Sequence, residues 1–488
     1  MKVMKVKNTT QLITGLRVIG LLLILEAGFM ALSLLPAMYY KQGDFFALLF
    51  STLITLSVGL LCRIKRVDKQ LNIDKRLGIS IVASIWLLIG FFGALPYLIG
   101  GYIPNIADAI FETLSGLTTT GATILSDVES LPKGILFWRS LTHWIGGVGI
   151  VVIVVSFVPF IGGGGMALFS AESAGPSKTK ISPHIATTGK IICGIYAVLT
   201  MICCLVYWLC GMGFFDAICH AFSTLASGGF STKNTSAAGF SPLIQYMMIL
   251  FMLPAGINFL LIYRLLKGQF SALKNNDEFK AYIGGIVFAF VLIFLFTYNS
   301  SVNFELTLRN ALFQTVSFIT STGFVSADYT SWSLPAVWVI LLLMFSGAMS
   351  GSTTGGLKLV RVLLLFKNAK SVIRRGVHSQ AFIPVKMDGR IVQDSVINNV
   401  MAIFLMFILL LILVSFALIC MGVEIEEAIG AGISCVFNMG PGLGESGGFG
   451  CFAHFPDAAK LVLSLAMYLG RLEIATVIVL FMPSFWKK

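Results

Sequence analysis

Four stretches of the sequence end in polar residues and glycine where apolar surroundings would favour leucine. They read DAIFETLSGLTTTG at 108 to 121, DAICHAFSTLASGG at 216 to 229, NALFQTVSFITSTG at 310 to 323 and EAIGAGISCVFNMG at 427 to 440. All four fit one frame. An acid or Asn opens it, Ala follows, Ser stands at the seventh step (Ser115, Ser223, Ser317, Ser434) and Gly at the thirteenth (Gly121, Gly229, Gly323, Gly440). One match would carry nothing, because Gly and Ser are common in membrane helices, but four in register amount to an internal repeat. The chemistry on offer is the dehydration of a monovalent cation. An ion leaving water needs oxygens in place of its hydration shell, and an extended strand whose carbonyls face one axis supplies them. Glycine reaches the backbone angles that turn successive carbonyls to one side. The candidate ligand strands are Thr119, Thr120 and Gly121; Ser227, Gly228 and Gly229; Ser321, Thr322 and Gly323; and Asn438, Met439 and Gly440. Four copies around one axis would close a ring of oxygens.

Such strands need a membrane around them and helices to carry them. Of 488 residues, 57% are hydrophobic and 11% charged, and apolar stretches recur from end to end, which marks a polytopic membrane protein. Crossing the hydrocarbon takes about 20 apolar residues in a helix. Ten stretches qualify, near 14–38, 44–62, 77–99, 134–161, 185–210, 242–266, 281–299, 333–366, 395–421 and 458–482. The first is read as a retained helix, since its apolar run exceeds that of a cleaved signal peptide. Each polar frame then reads as a half-membrane hairpin, with Asp108, Asp216, Asn310 and the weaker Glu427 expected as N-caps. About ten helical residues descend roughly 15 Å. The helix must stop there, and irregular backbone at that depth is tolerated only inside protein or along a watery path. The negative end of each helix dipole then faces the centre, which favours a cation.

The formal net charge of +12 would suit a nucleic-acid partner, but its distribution argues against one. On the side of the N-terminus lie 26 of the 34 Lys and Arg, so both termini and the basic loops are expected in the cytoplasm. The opposite side is acidic and would concentrate cations, or simply be solvated. The nine cysteines lie mostly in apolar segments without metal-ligand spacing. No enzyme is expected. GSTTGGLK at 351 to 358 puts its Lys one residue late for a phosphate loop, GPGLG near 440 lacks a surrounding strand and helix, and His143 and His220 read as core residues.

At this point the chain resembles the Trk/Ktr/HKT superfamily of potassium transporters, its TrkH type in particular. The resemblance rests on TTTGAT (118–123), ASGGFST (226–232), STGF (321–324), NMGPG (438–442), AESAGPSKTKISPHIA (171–186) and LGRLEIATVIVLFMPSFW (469–486). It implies an all-α membrane protein of ten transmembrane helices, with four fused helix, pore-helix, helix units in pseudo-fourfold arrangement. Residues 1–75 would form a two-helix extension and cytoplasmic loop, followed by pore repeats at 76–161, 162–266, 267–391 and 392–488. It also implies one conduction path per subunit with potassium as substrate and no organic cofactor. A homodimer, a cytosolic TrkA-type nucleotide-binding ring and a place in the prokaryotic inner membrane belong to the same expectation. Glycine at all four filter positions goes with potassium in this superfamily, whereas serine at the first goes with sodium permeation.

Two features point to gating. The 333–366 stretch would be roughly 50 Å long as one helix, too long for the bilayer, so it must break. The break is legible in SGAMSGSTTGG (346–356), whose Gly347, Ser350, Gly351, Ser352, Thr353, Thr354, Gly355 and Gly356 make poor helix. The resemblance implies that this loop obstructs the cytoplasmic half of the pore. Arg471, an ionisable residue inside the last span, would repel an entering cation or tether helices through a carbonyl or acid. The basic stretch 367–392 would contact acidic lipid or an acidic partner face. The competing class is an ion- or proton-coupled secondary carrier, which would show broken helices at the midplane.

Overall fold

A computed structural model describes residues 2–64, 75–157, 185–300, 303–378 and 383–486. The described residues are mostly helical. Its principal helices are α1 (Lys2–Tyr40), α2 (Phe45–Leu61), α3 (Lys75–Gly93, continued by Leu95–Ile99), α4 (Ile106–Leu117), α5 (Lys133–Phe157), α6 (Ile185–Leu209) and α7 (Phe214–Ala226). They are followed by α8 (Pro242–Ala255), α9 (Phe259–Leu266), α10 (Asp277–Thr297), α11 (Phe304–Ile319), α12 (Leu334–Phe345) and α13 (Leu359–Val377). The chain ends with α14 (Asp394–Cys420), α15 (Ile425–Val436), α16 (Asp457–Arg471) and α17 (Ile474–Phe481). The AESAGPSKTKISPHIA run lies outside the described residues except for its last two.

Burial sorts these helices into two kinds. Among the described residues, five helices are long and apolar enough to cross a membrane, and they bury only 22 to 44% of their most apolar windows. Their outward faces carry Leu35, Leu87, Met201, Phe288, Leu413 and Phe416, an arrangement that water would penalise and lipid would not. The short helices α4, α7, α11 and α15 are the reverse. In α4, nine of twelve residues are buried, and Thr113, Ser115 and Glu112 are among them. Short helices that bury polar groups therefore sit inside a jacket of apolar ones.

Every expected span falls on a helix, but not always on one straight helix. The 242–266 stretch is α8 and α9, bent by 100° around Gly256–Asn258, and 458–482 is α16 and α17, bent by 108°. Counting each bent pair as one span gives at most seven that pass on length and composition. The remaining expected spans are the 17-residue α2, the 25-residue α5 and the broken stretch from 333. That last stretch does break, between Phe345 and Leu359, with Ser346 bridged to Leu357 across the gap.

The expected N-caps are corrected. Asn105, Gly213, Asn303 and Glu424 stand at the helix starts, three to seven residues before Asp108, Asp216, Asn310 and Glu427. Asn105 accepts from the Ala107 amide at 2.8 Å and Asn303 from Glu305 at 2.9 Å, the work an N-cap side chain does. A small hairpin (β1, Lys386–Met387; β2, Arg390–Ile391) turns through Asp388 and Gly389, both with positive φ, as the Asp-Gly pair favours.

Candidate ion-coordination site and the loop beneath it

The four short helices end identically. Two residues before each frame glycine the backbone turns left-handed, at Thr119 (φ 54°), Ser227 (55°), Ser321 (48°) and Asn438 (53°). The glycines follow in the same half of backbone space, at 85°, 83°, 76° and 97° for Gly121, Gly229, Gly323 and Gly440. Thr120, Gly228, Thr322 and Met439 lie between them without positive φ. Alternating handedness turns successive carbonyls to one side, the geometry an ion-lining strand needs. Each intervening amide donates to the frame serine's carbonyl: Thr120 to Ser115 at 2.9 Å, Gly228 to Ser223 at 2.9 Å, Thr322 to Ser317 at 2.8 Å and Met439 to Ser434 at 2.8 Å. This bond caps each helix in the manner of a Schellman motif and fixes where the strand begins.

The strands form a closed ring. A Cβ on Gly121 would collide with the Gly228 carbonyl oxygen, one on Gly229 with that of Thr322, one on Gly323 with that of Met439, and one on Gly440 with that of Thr120. Each glycine thus abuts the next segment's strand, in chain order, until the fourth returns to the first. Gly121, Gly229, Gly323 and Gly440 all line one cavity of about 190 Å³. A side chain at any of them would close it or push its neighbour aside.

The strands are braced unequally behind the ring. Thr118 and Thr120 share a hydroxyl bond of 2.7 Å, and Thr320 and Thr322 repeat it at 2.7 Å. Asn438 donates to the Thr120 hydroxyl and to the Met467 carbonyl, both at 2.9 Å. His143 stacks on Phe230 at 4.0 Å and meets the Ser223 hydroxyl at 3.2 Å, a packed core residue as its surroundings suggested. The Thr119 hydroxyl is buried without a hydrogen-bond partner.

The loop 346–358 lies against the strands' inner ends. The Gly355 amide donates to Ser321 Oγ at 2.8 Å, and the Thr353 hydroxyl bonds the Leu225 carbonyl at 2.8 Å and Ser227 Oγ at 3.2 Å. A Cβ on Gly355 or Gly356 would meet the Phe437 carbonyl, so both glycines serve the close approach. Gly347 returns to the Leu357 carbonyl at 2.9 Å, and Ser352 and Thr354 share a hydroxyl bond of 2.7 Å. Arg471 stands at the end of α16, just before the bend. It donates to the carbonyls of Thr353 at 3.1 Å and Gly146 at 3.3 Å, so its tether holds the loop itself. Glu473, left-handed at φ 54°, pairs with buried Arg361 of α13 at 2.6 Å.

Sequence reasoning missed Glu278 at the start of α10. Its carboxylate accepts from the Ser350 amide at 2.7 Å, the Ser350 hydroxyl at 3.0 Å and the Val360 amide at 3.2 Å, spanning the loop and the first turn of α13. Asn258, in the α8–α9 break, donates to the Ser350 carbonyl at 2.7 Å. Nothing in their spacing announces this, because the residues they hold lie far away in the chain. The acids expected on the outer side are partly paired: Lys460 bonds Asp108 at 2.6 Å, and His454 meets Glu427 at 2.7 Å.

The family model for TrkH, described as a cation transport protein, matches residues 46–302 and 285–488. The Trk system potassium uptake protein TrkH of Salmonella typhimurium is 39% identical over 482 residues, covering 97% of this chain and 99% of that protein. The protein of the same name from Escherichia coli is 38% identical over the same length. The crystal structure of the potassium transporter TrkH from Vibrio parahaemolyticus superposes with a TM-score of 0.88 at 35% identity, covering 98% of this chain and 100% of that one. A match this long, through every segment of the ring and the loop, makes the chain a member of the TrkH family of cation transport proteins.

Proposed function

We propose that this chain is the membrane subunit of a potassium uptake system and carries the ion through the glycine ring. The observation that supports it best is the closed succession Gly121–Gly228, Gly229–Thr322, Gly323–Met439 and Gly440–Thr120, in which each strand's glycine faces the next strand's carbonyl. Backbone oxygens of Thr119 to Gly121, Ser227 to Gly229, Ser321 to Gly323 and Asn438 to Gly440 would replace the hydration shell. The relatives named as potassium uptake proteins favour potassium as the ion. On this reading the four segments belong to four fused repeats, 76–161, 162–266, 267–391 and 392–488, behind a two-helix extension.

The loop at Gly347 to Gly356, tied by Arg471, is the gate on the cytoplasmic side. It opens when a cytosolic nucleotide-binding ring of the TrkA type draws on α13 and the basic stretch 367–392, with the subunit working as a homodimer in the inner membrane, both termini inside. A second reading, a coupled carrier, gains support from the 100° and 108° bends, since carriers break helices near the midplane.

Purified protein in liposomes separates these. Rubidium and sodium tracer uptake should show strong preference for rubidium in the wild type and loss of that preference in Gly121→Ser, with flux continuing in the absence of any proton or sodium gradient. Uptake that stops without such a gradient would move the assignment to a carrier.

A further inference from the structure

A buried ion pair lies behind the first two strands of the ring. Glu112, at the fourth step of the frame in α4, is wholly buried. Its carboxylate accepts from Arg139 Nε at 2.6 Å, from the Thr123 hydroxyl at 2.9 and 3.1 Å to its two oxygens, and from the Ile124 amide at 3.0 Å. Arg139, on α5 and 2% exposed, donates through its other arm to the Ser231 carbonyl at 3.0 Å and lays its guanidinium 3.5 Å over the Phe230 ring. Thr123 and Ser231 each stand two residues beyond a ring glycine. The pair therefore ties the outer ends of two neighbouring strands to one another and to one short helix.

The same frame step elsewhere holds His220, Gln314 and Ala431. His220 Nε2 meets Ser231 Oγ at 2.9 Å, and Gln314 donates to the Ala327 carbonyl at 3.0 Å, whereas Ala431 has no polar group to offer. The position thus braces the strand beyond the glycine in three segments, most strongly in the first. Burying two charges is expensive, and apolar residues of equal volume usually stabilise a core at least as well. An ion pair at this place makes more sense as a device for fixed geometry. A ring that discriminates between alkali ions has to resist relaxing onto the smaller one, and this pair joins the first strand to the second beyond their glycines.

We infer that Glu112 and Arg139 are positioning residues for ion discrimination, holding the first and second strands at fixed separation without touching the ion. This rests on the conduction path proposed above. The test is rubidium and sodium tracer uptake by reconstituted Glu112→Gln, Arg139→Lys and Thr123→Val, each normalised to the protein inserted. The rubidium-to-sodium ratio should fall in all three, about tenfold for Glu112→Gln and about twofold for Thr123→Val, which loses the hydroxyl's bond to Glu112 and the one it accepts from the Leu125 amide while keeping its volume. Unchanged ratios overturn the inference, as a merely structural pair would lower thermal stability and yield alone. Should Glu112→Gln fail to insert, Thr123→Val decides, because it leaves the ion pair intact. A wild type with no preference for rubidium would sink the conduction path itself, whereas a selective wild type with equally selective variants would sink only the role of the pair.

Discussion

The ring and the loop beneath it use the same residue types, glycine, serine and threonine, for opposite ends. In the ring these residues repeat: the left-handed turn, the serine carbonyl bond and the abutting glycine recur four times, each strand held mainly by its own helix and its immediate neighbour. The loop is built once. Its ties come from unlike places, Glu278 on α10, Asn258 in the α8–α9 break, Arg471 on α16 and the inner ends of two ring strands. A structure held by its own backbone is rigid, whereas one held by side chains from elements that can shift separately is released when any of them moves. The difference teaches that a repeated, backbone-held ring and a loop held by several separate elements can lie next to one another, joined directly at Ser227 and Ser321.

The largest effect should come from the ring. Gly323→Ala puts a Cβ against the Met439 carbonyl at a φ of 76°, a conformation that costs a non-glycine residue about 1 to 3 kcal/mol. The rubidium-to-sodium uptake ratio should fall on the order of tenfold, and an unaltered ratio would show that the ring does not set selectivity. Next comes the loop. Glu278→Gln replaces charged hydrogen bonds by neutral ones, a loss of about 1 kcal/mol, so partner-free flux should rise about fivefold while the ratio stays constant. If flux and ratio move together, the two regions are not independent. The smallest effect belongs to the outer loops, where the Asn234 amide donates to Asp127 at 2.9 Å and holds its carboxyl below the usual range. A depressed value means stabilisation present when Asp127 is ionised and lost as pH falls through the folded-state value. The melting-temperature difference between wild type and Asp127→Asn in detergent should therefore be small at pH 7 and vanish in acid. A difference independent of pH would mean that charge plays no part in that tie.

What the sequence determined by itself is whatever depends on local chemistry and on repetition. The apolar runs, the four frames, their glycines and the break after Phe345 were legible because hydropathy, helix propensity and positive-φ demand act within a few residues. Even there the helix starts lie three to seven residues earlier than expected, since Asn105 and Asn303 cap from outside the repeated frame. Tertiary structure alone decided the rest: that the strands close in chain order, that α8–α9 and α16–α17 bend, that Arg471 holds the loop, and that Glu112 finds Arg139 and Glu278 finds Ser350. Those partners lie from 27 to 118 positions apart in the chain. A buried carboxylate is paid for by whichever donors the packing brings to it, and no local pattern in one sequence records which they will be.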